Sequence, residues 1–344
     1  MIDPHVHLRD WRQANKETVC HGLKIADEVG LDAVFEMPNT DPPIIDRNTV
    51  MKRIKLADSC NINIFHGLYI GLTIHKEQIT EAVKLHKKLF PRVVGLKLYA
   101  GPSTGSLAVK DHGHQKFVFR TLKKLNYNGV VAVHCEDETL FESDKWIPHI
   151  PITHSEVRPP EAEISSVKNI LKIAQDIKFD GSVHICHISV PGSVTEIEKA
   201  REQDQIKVSC GITFHHALLY KQLMKKTNGI FLKVNPPLRD LETQKKMFQM
   251  ILDKKIDVIE TDHAPHQLVD KLREPYSSGI SALPFYTQFI QILKENGMSD
   301  NEIDDLTHNN INKIFNMNIQ NTHKNRSVIS KNEYEYDPFD FLNK

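Results

Sequence analysis

Eight short apolar runs alternate with amphipathic helical stretches, and this alternation limits the fold more than any other feature of the chain. Early runs begin about 30 residues apart, which is the size of one βα unit. Eight such units close into a parallel barrel, so the sequence predicts a (β/α)8 TIM barrel. The predicted strands are Met1–Val6, Asp32–Glu36, Ile62–Leu68, Val93–Leu98, Gly129–Val133, Ser182–Ile185, Ile206–Ser209 and Asp257–Glu260.

The alternative to a barrel is an open, doubly wound sheet. No glycine-rich phosphate loop follows the first run, and polar residues recur at the ends of the runs, which favours the barrel. The predicted helices are Asn15–Val29, Asp46–Ser59, Lys76–Phe90, Gln115–Leu125, Pro160–Lys178, Gly192–Gln203, Leu241–Lys254 and Ala282–Glu295.

Length and composition suit one barrel domain over residues 1–344, with a core to about residue 300 and an extension over 301–344. The tail after about Ser327 is polar and is expected to pack back on the barrel as an extended segment. The 44 basic residues balance 44 acidic ones, which argues against nucleic-acid or membrane-surface partners. Without a membrane-length apolar run or a signal-peptide pattern, the chain is expected to be cytoplasmic. The five cysteines form no CxxC pair and no predicted disulfide framework.

Polar side chains that could bind a metal close several of the predicted strands. In a barrel of this kind the active site lies at the carboxyl ends of the strands, so these side chains should converge on one mouth. The HxH pair of the first run places both imidazoles on one face, because side chains alternate along a strand. The candidates are His5, His7, Lys97, His134, His187 and Asp262.

This set of residue types suits a site for two divalent metal ions. Neutral imidazole and carboxylate ligands favour Zn²⁺. Two ions about 3.5–4 Å apart need a bridging anion besides hydroxide. A lysine that has reacted with CO₂ carries such an anion, so Lys97 could bridge, and Asp262 could ligate one ion and accept a proton. A single histidine at a strand end is more often a hydrogen-bonded core residue, and His184 and His263 are assigned to that class or to supporting contacts.

At these residues the chain resembles the dihydroorotases of the amidohydrolase superfamily, over residues 1 to about 290. The HxHxR, MPNT and DHAPH blocks carry most of the resemblance. The matching stretches are His5–Arg9, Met37–Pro43, Gly95–Tyr99, His134–Asp137, Arg158–Glu163, Cys186–Ser189, Asn235–Arg239 and Asp262–His266.

The resemblance implies a metal-ligand set and a substrate site. It places His5, His7, Lys97 and Asp262 on one Zn²⁺, and carbamylated Lys97, His134 and His187 on the other. It implies that Asp262 is also the catalytic proton carrier. The implied substrate-binding residues are Arg9 and Asn39, which would bind a carboxylate, together with Asn235, His266 and Gly279.

The sequence departs from the family in three places. Relatives often carry a β-sandwich before the HxH strand, so the chain is either a minimal form or a trimmed one. Some relatives bridge the metals with an aspartate after strand four, which makes Asp111 the less favoured alternative to Lys97. Asp10 and Trp11 also replace the residues that commonly follow the arginine of HxHxR.

The activity that the resemblance implies is the reversible cyclisation of N-carbamoyl-L-aspartate to L-dihydroorotate in pyrimidine synthesis. One alternative is another cyclic amidase, acting on hydantoin, dihydropyrimidine or allantoin. A second alternative is an inactive scaffold subunit for aspartate transcarbamoylase. A homodimer and an association with aspartate transcarbamoylase are further expectations.

Overall fold

Eight parallel strands form the centre of the computed structural model, which describes residues 1–102, 105–203, 206–323 and 333–343. Each strand pairs with the next in chain order. The strands are β1 (Ile2–Val6), β2 (Ala33–Glu36), β3 (Phe65–Gly71), β4 (Val93–Ala100), β5 (Val130–Cys135), β6 (Ser182–Ile185), β7 (Lys207–Thr213) and β8 (Val258–Glu260). The predicted TIM barrel is therefore confirmed.

Hydrogen bonds between β1 and the residues after β8 join the two ends of the sheet. The His7 amide donates to the His263 carbonyl at 2.8 Å. The Thr261 amide donates to Asp3 Oδ1 at 3.2 Å. These bonds bring the first and last predicted ligand segments side by side.

Helices follow most strands and pack outside the barrel. The first predicted helix begins later than expected, because the Thr18 side chain accepts a hydrogen bond from the His21 amide and caps it there. The helices are α1 (Val19–Glu28), α2 (Arg47–Ser59), α3 (Lys76–Leu89), α4 (His112–Lys124), α5 (His154–Val157), α6 (Pro160–Asp176), α7 (Pro191–Glu202), α8 (Phe214–Leu218), α9 (Leu241–Leu252), α10 (Leu268–Leu272), α11 (Tyr286–Glu295), α12 (Asp300–Asp304) and α13 (Asn310–Phe315).

The amino-terminal end of the barrel is filled by apolar side chains. Phe315 of α13 packs edge-on against Phe35 and Tyr69, with ring centroids 5.2 and 6.1 Å away. Ile2 and Val258 belong to the same buried cluster. Because this end is closed, the polar side chains at the opposite end face the open mouth.

The end of the chain packs back onto the barrel, as expected, but it is not wholly extended. Residues 338–343 form a 3-10 turn. Phe339 and Phe341 are buried in the main core. The expectation for residues 324–332 lies outside the described residues.

A disulfide between Cys20 and Cys60 corrects the expectation that the cysteines form no disulfide. Cys20 lies in α1 and Cys60 follows α2, and their Cα atoms are 5.1 Å apart. The two helices are neighbours only in the folded barrel. The two cysteines are 40 residues apart in the sequence, and this distance matches no recognisable disulfide motif. Cys135, Cys186 and Cys210 are free and buried. Across the described residues, no helix is both long and apolar enough to span a membrane.

Candidate active site

The six predicted metal ligands lie at the carboxyl ends of the strands and are all buried. Five of them line one cavity at the barrel mouth, namely His5, His7, His134, His187 and Asp262. Lys97 is fully buried on β4, which pairs with β3 on one side and with β5 on the other. The structure thus brings together side chains that are up to about 260 residues apart in sequence, as expected for a barrel mouth.

His5, His7 and Asp262 form the first group of potential ligands. Asp262 Oδ1 is 3.2 Å from His5 Nε2 and 2.9 Å from His7 Nε2. Two atoms that each lie about 2.0–2.1 Å from one tetrahedral zinc ion are about 3.3 Å apart. The spacing of these donor atoms therefore fits a single divalent ion.

His134 and His187 form the second group. His134 Nδ1 lies 3.2 Å from His187 Nε2, again close to the spacing of two ligands of one tetrahedral ion. Burial lowers the pKa of both imidazoles, and lowers that of His187 well below its usual value. Both rings are therefore neutral near pH 7, which is the form that binds a metal.

Three of the four histidines are oriented by an acceptor behind the ring. His5 Nδ1 contacts Glu260 Oε2 at 3.1 Å, and His134 Nε2 contacts Glu136 Oε2 at 3.1 Å. His7 Nδ1 contacts Asn39 Oδ1 at 2.7 Å. Each contact leaves the other ring nitrogen facing the cluster, as is usual for histidines that bind metals.

Glu136 and Glu260 are site residues that sequence reasoning missed. Each lies two residues from a predicted ligand, Glu136 after His134 and Glu260 before Asp262. Alternation along a strand places residues two apart on the same face, so this spacing was a usable signal. Glu136 is further fixed by an ion pair with Arg158.

The charges at the first group favour a cation. Burial opposes ionisation of Asp262, but His5 and His7 outweigh it and hold the pKa of Asp262 well below its usual value. Burial and Lys97 lower the pKa of His5, yet Asp262 and Glu260 outweigh both and raise it well above its usual value. A proton on His5 thus sits between two carboxylates, where a metal ion would supply the same positive charge.

Lys97 and Asp111, the two candidates for a bridging ligand, lie in different environments. Lys97 Nζ is 3.0 Å from Cys186 Sγ and 5.1 Å from the centroid of the Tyr99 ring. Asp111 caps α4 by accepting a hydrogen bond from the His114 amide at 2.8 Å, and its side chain is 66% exposed. Neither side chain lines the cavity, but Lys97 is buried inside the barrel beside His5 and His134. The geometry therefore supports Lys97 over Asp111.

Arg9 lines the same cavity. Its Nε donates to the Pro265 carbonyl at 3.1 Å, and its Nη2 lies 3.1 Å from His266 Nε2. His266 Nε2 is also 3.0 Å from the Ser278 carbonyl, whereas Lys16 Nζ is 3.3 Å from His266 Nδ1. Arg9 and Lys16 can only donate, so each ring nitrogen of His266 faces one donor.

Asn39, Asn235 and Gly279 line this cavity as well. His266 does not line it but contacts Arg9. His154 Nε2 lies within hydrogen-bond distance of Asn235 Oδ1, at 3.0 Å. Gly279 has a φ of +150°, and a Cβ there would lie 2.5 Å from the Ala264 carbonyl oxygen. Only glycine therefore fits at this position of the cavity wall.

A buried ion pair holds the backbone that carries Arg9. Arg53 on α2 donates from Nη2 to the Arg9 carbonyl at 2.6 Å and forms a two-point contact with Glu36. Arg9 itself has a φ of +52°. Left-handed backbone is unfavourable for a residue with a side chain, so the Arg53 contact stabilises a strained turn beside the site.

Lowering the pH from about 4.5 to about 2 is expected to destabilise the protein partly through Glu36. Burial opposes ionisation of Glu36, but Arg53 and His66 outweigh it and lower its pKa from 4.5 to about 2. An acid with a lowered pKa stabilises the fold above its ordinary pKa and loses that effect as the pH falls through the folded value. We expect a loss on the order of 3 kcal/mol in the free energy of unfolding, measured by urea unfolding across this range.

The matched variants are Glu36→Gln and Glu77→Gln, the latter at an exposed position. Glu36→Gln should be less stable at neutral pH and should show a shallower fall of stability below pH 4.5. An unchanged slope in Glu36→Gln, equal to that of Glu77→Gln, would contradict this account.

Several curated proteins that resemble the chain are named dihydroorotase. The dihydroorotase of Thermococcus kodakarensis is 33% identical over 287 residues, which cover 82% of this chain and 59% of the relative. The dihydroorotase of Fusobacterium nucleatum is 27% identical over 327 residues, which cover 92% of this chain and 72% of the relative. The chain spans 57–59% of the length of three archaeal relatives that it matches. No protein-family model matches the chain.

Solved structures share the fold. An L-hydantoinase from Arthrobacter aurescens superposes with a TM-score of 0.81 at 21% identity, over 92% of this chain and 70% of that one. A dihydroorotase from Campylobacter jejuni superposes with a TM-score of 0.68 at 18% identity, over 93% of this chain and 84% of that one. The chain is therefore similar in sequence to curated dihydroorotases, and it shares its barrel fold with solved hydantoinase and dihydroorotase structures.

Proposed function

We propose that the protein is a zinc-dependent dihydroorotase, which interconverts N-carbamoyl-L-aspartate and L-dihydroorotate in pyrimidine synthesis. The observation that carries this proposal is the position of Arg9, whose guanidinium lines the same cavity as the two groups of metal ligands. A guanidinium fork matches a carboxylate with two hydrogen bonds. The site thus combines an anchor for a carboxylate with ligands for a hydrolytic metal centre.

The donor atoms described above would hold two Zn²⁺ ions, bridged by carbamylated Lys97 and a hydroxide. When bound, the ions supply a nucleophile at neutral pH and polarise the amide carbonyl. A fully buried lysine amine beside the Cys186 thiol fits modification by CO₂, because the resulting anion would compensate the charge of the metals.

The protein's own groups bind the substrate and move the proton. Arg9 holds the substrate carboxylate, with Asn39, Asn235 and Gly279 on the cavity wall around it. In the hydrolytic direction Asp262 accepts the proton of the nucleophile and delivers it to the leaving nitrogen. In the cyclising direction Asp262 must begin protonated, so cyclisation should be favoured at lower pH.

The hydantoinase fold neighbours support a second candidate, a cyclic amidase for rings that carry no carboxylate. Hydantoin and dihydrouracil would offer the Arg9 guanidinium no carboxylate partner. An unpaired buried charge is unfavourable, so these rings should react poorly if Arg9 is the specificity residue.

A substrate panel on zinc-loaded protein tests the proposal. Dihydroorotate, N-carbamoyl-L-aspartate, hydantoin, dihydrouracil and allantoin would be compared at equal concentrations. We expect turnover of the first two compounds and its loss after chelation, with recovery on adding Zn²⁺. Efficient hydrolysis of hydantoin without turnover of dihydroorotate would favour the second candidate.

Arg9→Lys should impair carboxylate-bearing substrates far more than neutral rings. Lysine offers a point charge in place of a planar fork, so the two-point contact is lost. We expect the transition-state stabilisation for dihydroorotate to fall by about 2–4 kcal/mol. This quantity is calculated from the ratio of the wild-type and variant kcat/KM values, measured by steady-state kinetics. Lys16→Arg, at a half-buried position near the mouth, serves as a matched control. Equal losses on dihydroorotate and dihydrouracil would remove Arg9 from carboxylate binding.

A further inference from the structure

Residues 333–343, the C-terminal segment, lie across the catalytic face and contact three parts of the chain around the active site. Glu333 pairs with His21 of α1 at 3.3 Å. Glu335 accepts a hydrogen bond from the Leu268 amide of α10. The Tyr336 ring packs against Phe231 with centroids 4.7 Å apart. The segment therefore touches the surroundings of β1, β7 and β8 together.

Tyr334 connects the segment to the turn that carries Asp262. The Tyr334 hydroxyl donates to Glu17 Oε1 at 2.5 Å. His263 Nδ1 accepts from the Leu283 amide at 3.3 Å, so its proton is on Nε2 and is donated to Glu17 Oε2 at 3.1 Å. Glu17 thus accepts hydrogen bonds from the segment and from the residue that follows Asp262.

Tyr336 covers the loop that supplies the wall of the cavity. Lys271 Nζ lies 5.9 Å from the Tyr336 ring centroid. The same ammonium donates to the Lys233 carbonyl at 3.0 Å and to the Gly279 carbonyl at 2.8 Å. Lys271 is fully buried, so the contacts that fix Gly279 depend on a cover that keeps water away.

Phe339 anchors the segment at a distance from the cavity. Its ring stacks on Phe285 with centroids 3.9 Å apart and planes 8° from parallel. Phe339 is 2% exposed and belongs to the main core. Neither ring lines the active-site cavity. Removing the Phe339 ring would therefore loosen the segment without touching a residue of the site.

We propose that the C-terminal segment is a positioning element of the active site. It holds residues 267–279, which carry part of the cavity wall, and the Asp262-His263 turn in the arrangement that binds a carboxylate-bearing substrate. The effect of the segment on substrate binding rests on the proposed function. Its effect on the conformation of residues 267–279 does not.

The test compares Phe339→Ala with Phe179→Ala in the full chain. Phe179 is equally buried, but it packs against Phe119 and Tyr127 away from the cavity. Both variants should lower Tm. Only Phe339→Ala should speed tryptic cleavage at Arg273, by at least about tenfold, because local opening governs proteolysis of a loop. It should also raise KM for dihydroorotate at least about tenfold, with a smaller change for dihydrouracil.

A second pair keeps the test decisive if Phe339→Ala does not fold. Tyr334→Phe removes one hydroxyl from the segment, and Tyr127→Phe removes a buried hydroxyl that bonds the Val130 carbonyl at 2.9 Å. Faster cleavage at Arg273 and a higher KM are expected for Tyr334→Phe alone. Wild-type cleavage and wild-type KM in a folded segment variant would overturn the inference. Faster cleavage in a protein that does not turn over dihydroorotate would leave the positioning role standing and refute the proposed function.

Discussion

Asp262→Asn is expected to lower kcat for dihydroorotate by about 10²–10⁴-fold while much of the bound metal is retained. The amide oxygen can still ligate, but an amide cannot accept and return the proton that Asp262 is proposed to carry. Steady-state kinetics and metal analysis on the same preparation measure both quantities.

The matched control for this prediction is Asp137→Asn. Asp137 is also buried near the carboxyl end of β5, but it bonds Thr139 and Ser165 and does not line the cavity. Its variant should keep near wild-type kcat. An Asp262→Asn enzyme with near wild-type kcat and full metal content would show that another group moves the proton.

Lys97→Ala is expected to lose the second metal ion and nearly all activity, whereas Asp111→Ala should keep both. The reason is position, since Lys97 is enclosed beside His5 and His134 on a rigid strand, and Asp111 caps a helix at the surface. Short carboxylic acids should partly restore Lys97→Ala by supplying a bridging anion.

The two candidates predict opposite results, so metal content per chain separates them. If Asp111 bridges the ions, Lys97→Ala should retain two metals and Asp111→Ala should lose one. A dinuclear centre of this kind has room for one bridging carboxylate besides the hydroxide, so the outcomes exclude each other.

Much of the fold, and the grouping of the candidate ligands at the barrel mouth, could be predicted because both depend on local patterns. All eight predicted strands are present, with shifts of a few residues such as the later start of β3 at Phe65. The position of the candidate ligands could be predicted because each closes an apolar run, and parallel barrels bring strand ends together.

The contacts that support the site could not be predicted in the same way. Arg53 holds the Arg9 carbonyl across 44 residues, and Tyr334 reaches Glu17 across 317. Partners so far apart meet only once the barrel has closed, and no periodicity or spacing in the sequence reports them. The Cys20–Cys60 disulfide belongs to the same class of long-range contact.

The most direct test of the central claim is a crystal structure of zinc-loaded protein, with metal content measured on the same sample. We expect two metal ions per chain and planar electron density extending from Lys97 Nζ between them. Two ions with an unmodified Lys97 still beside Cys186, or two ions bridged by Asp111, would contradict a centre bridged by Lys97.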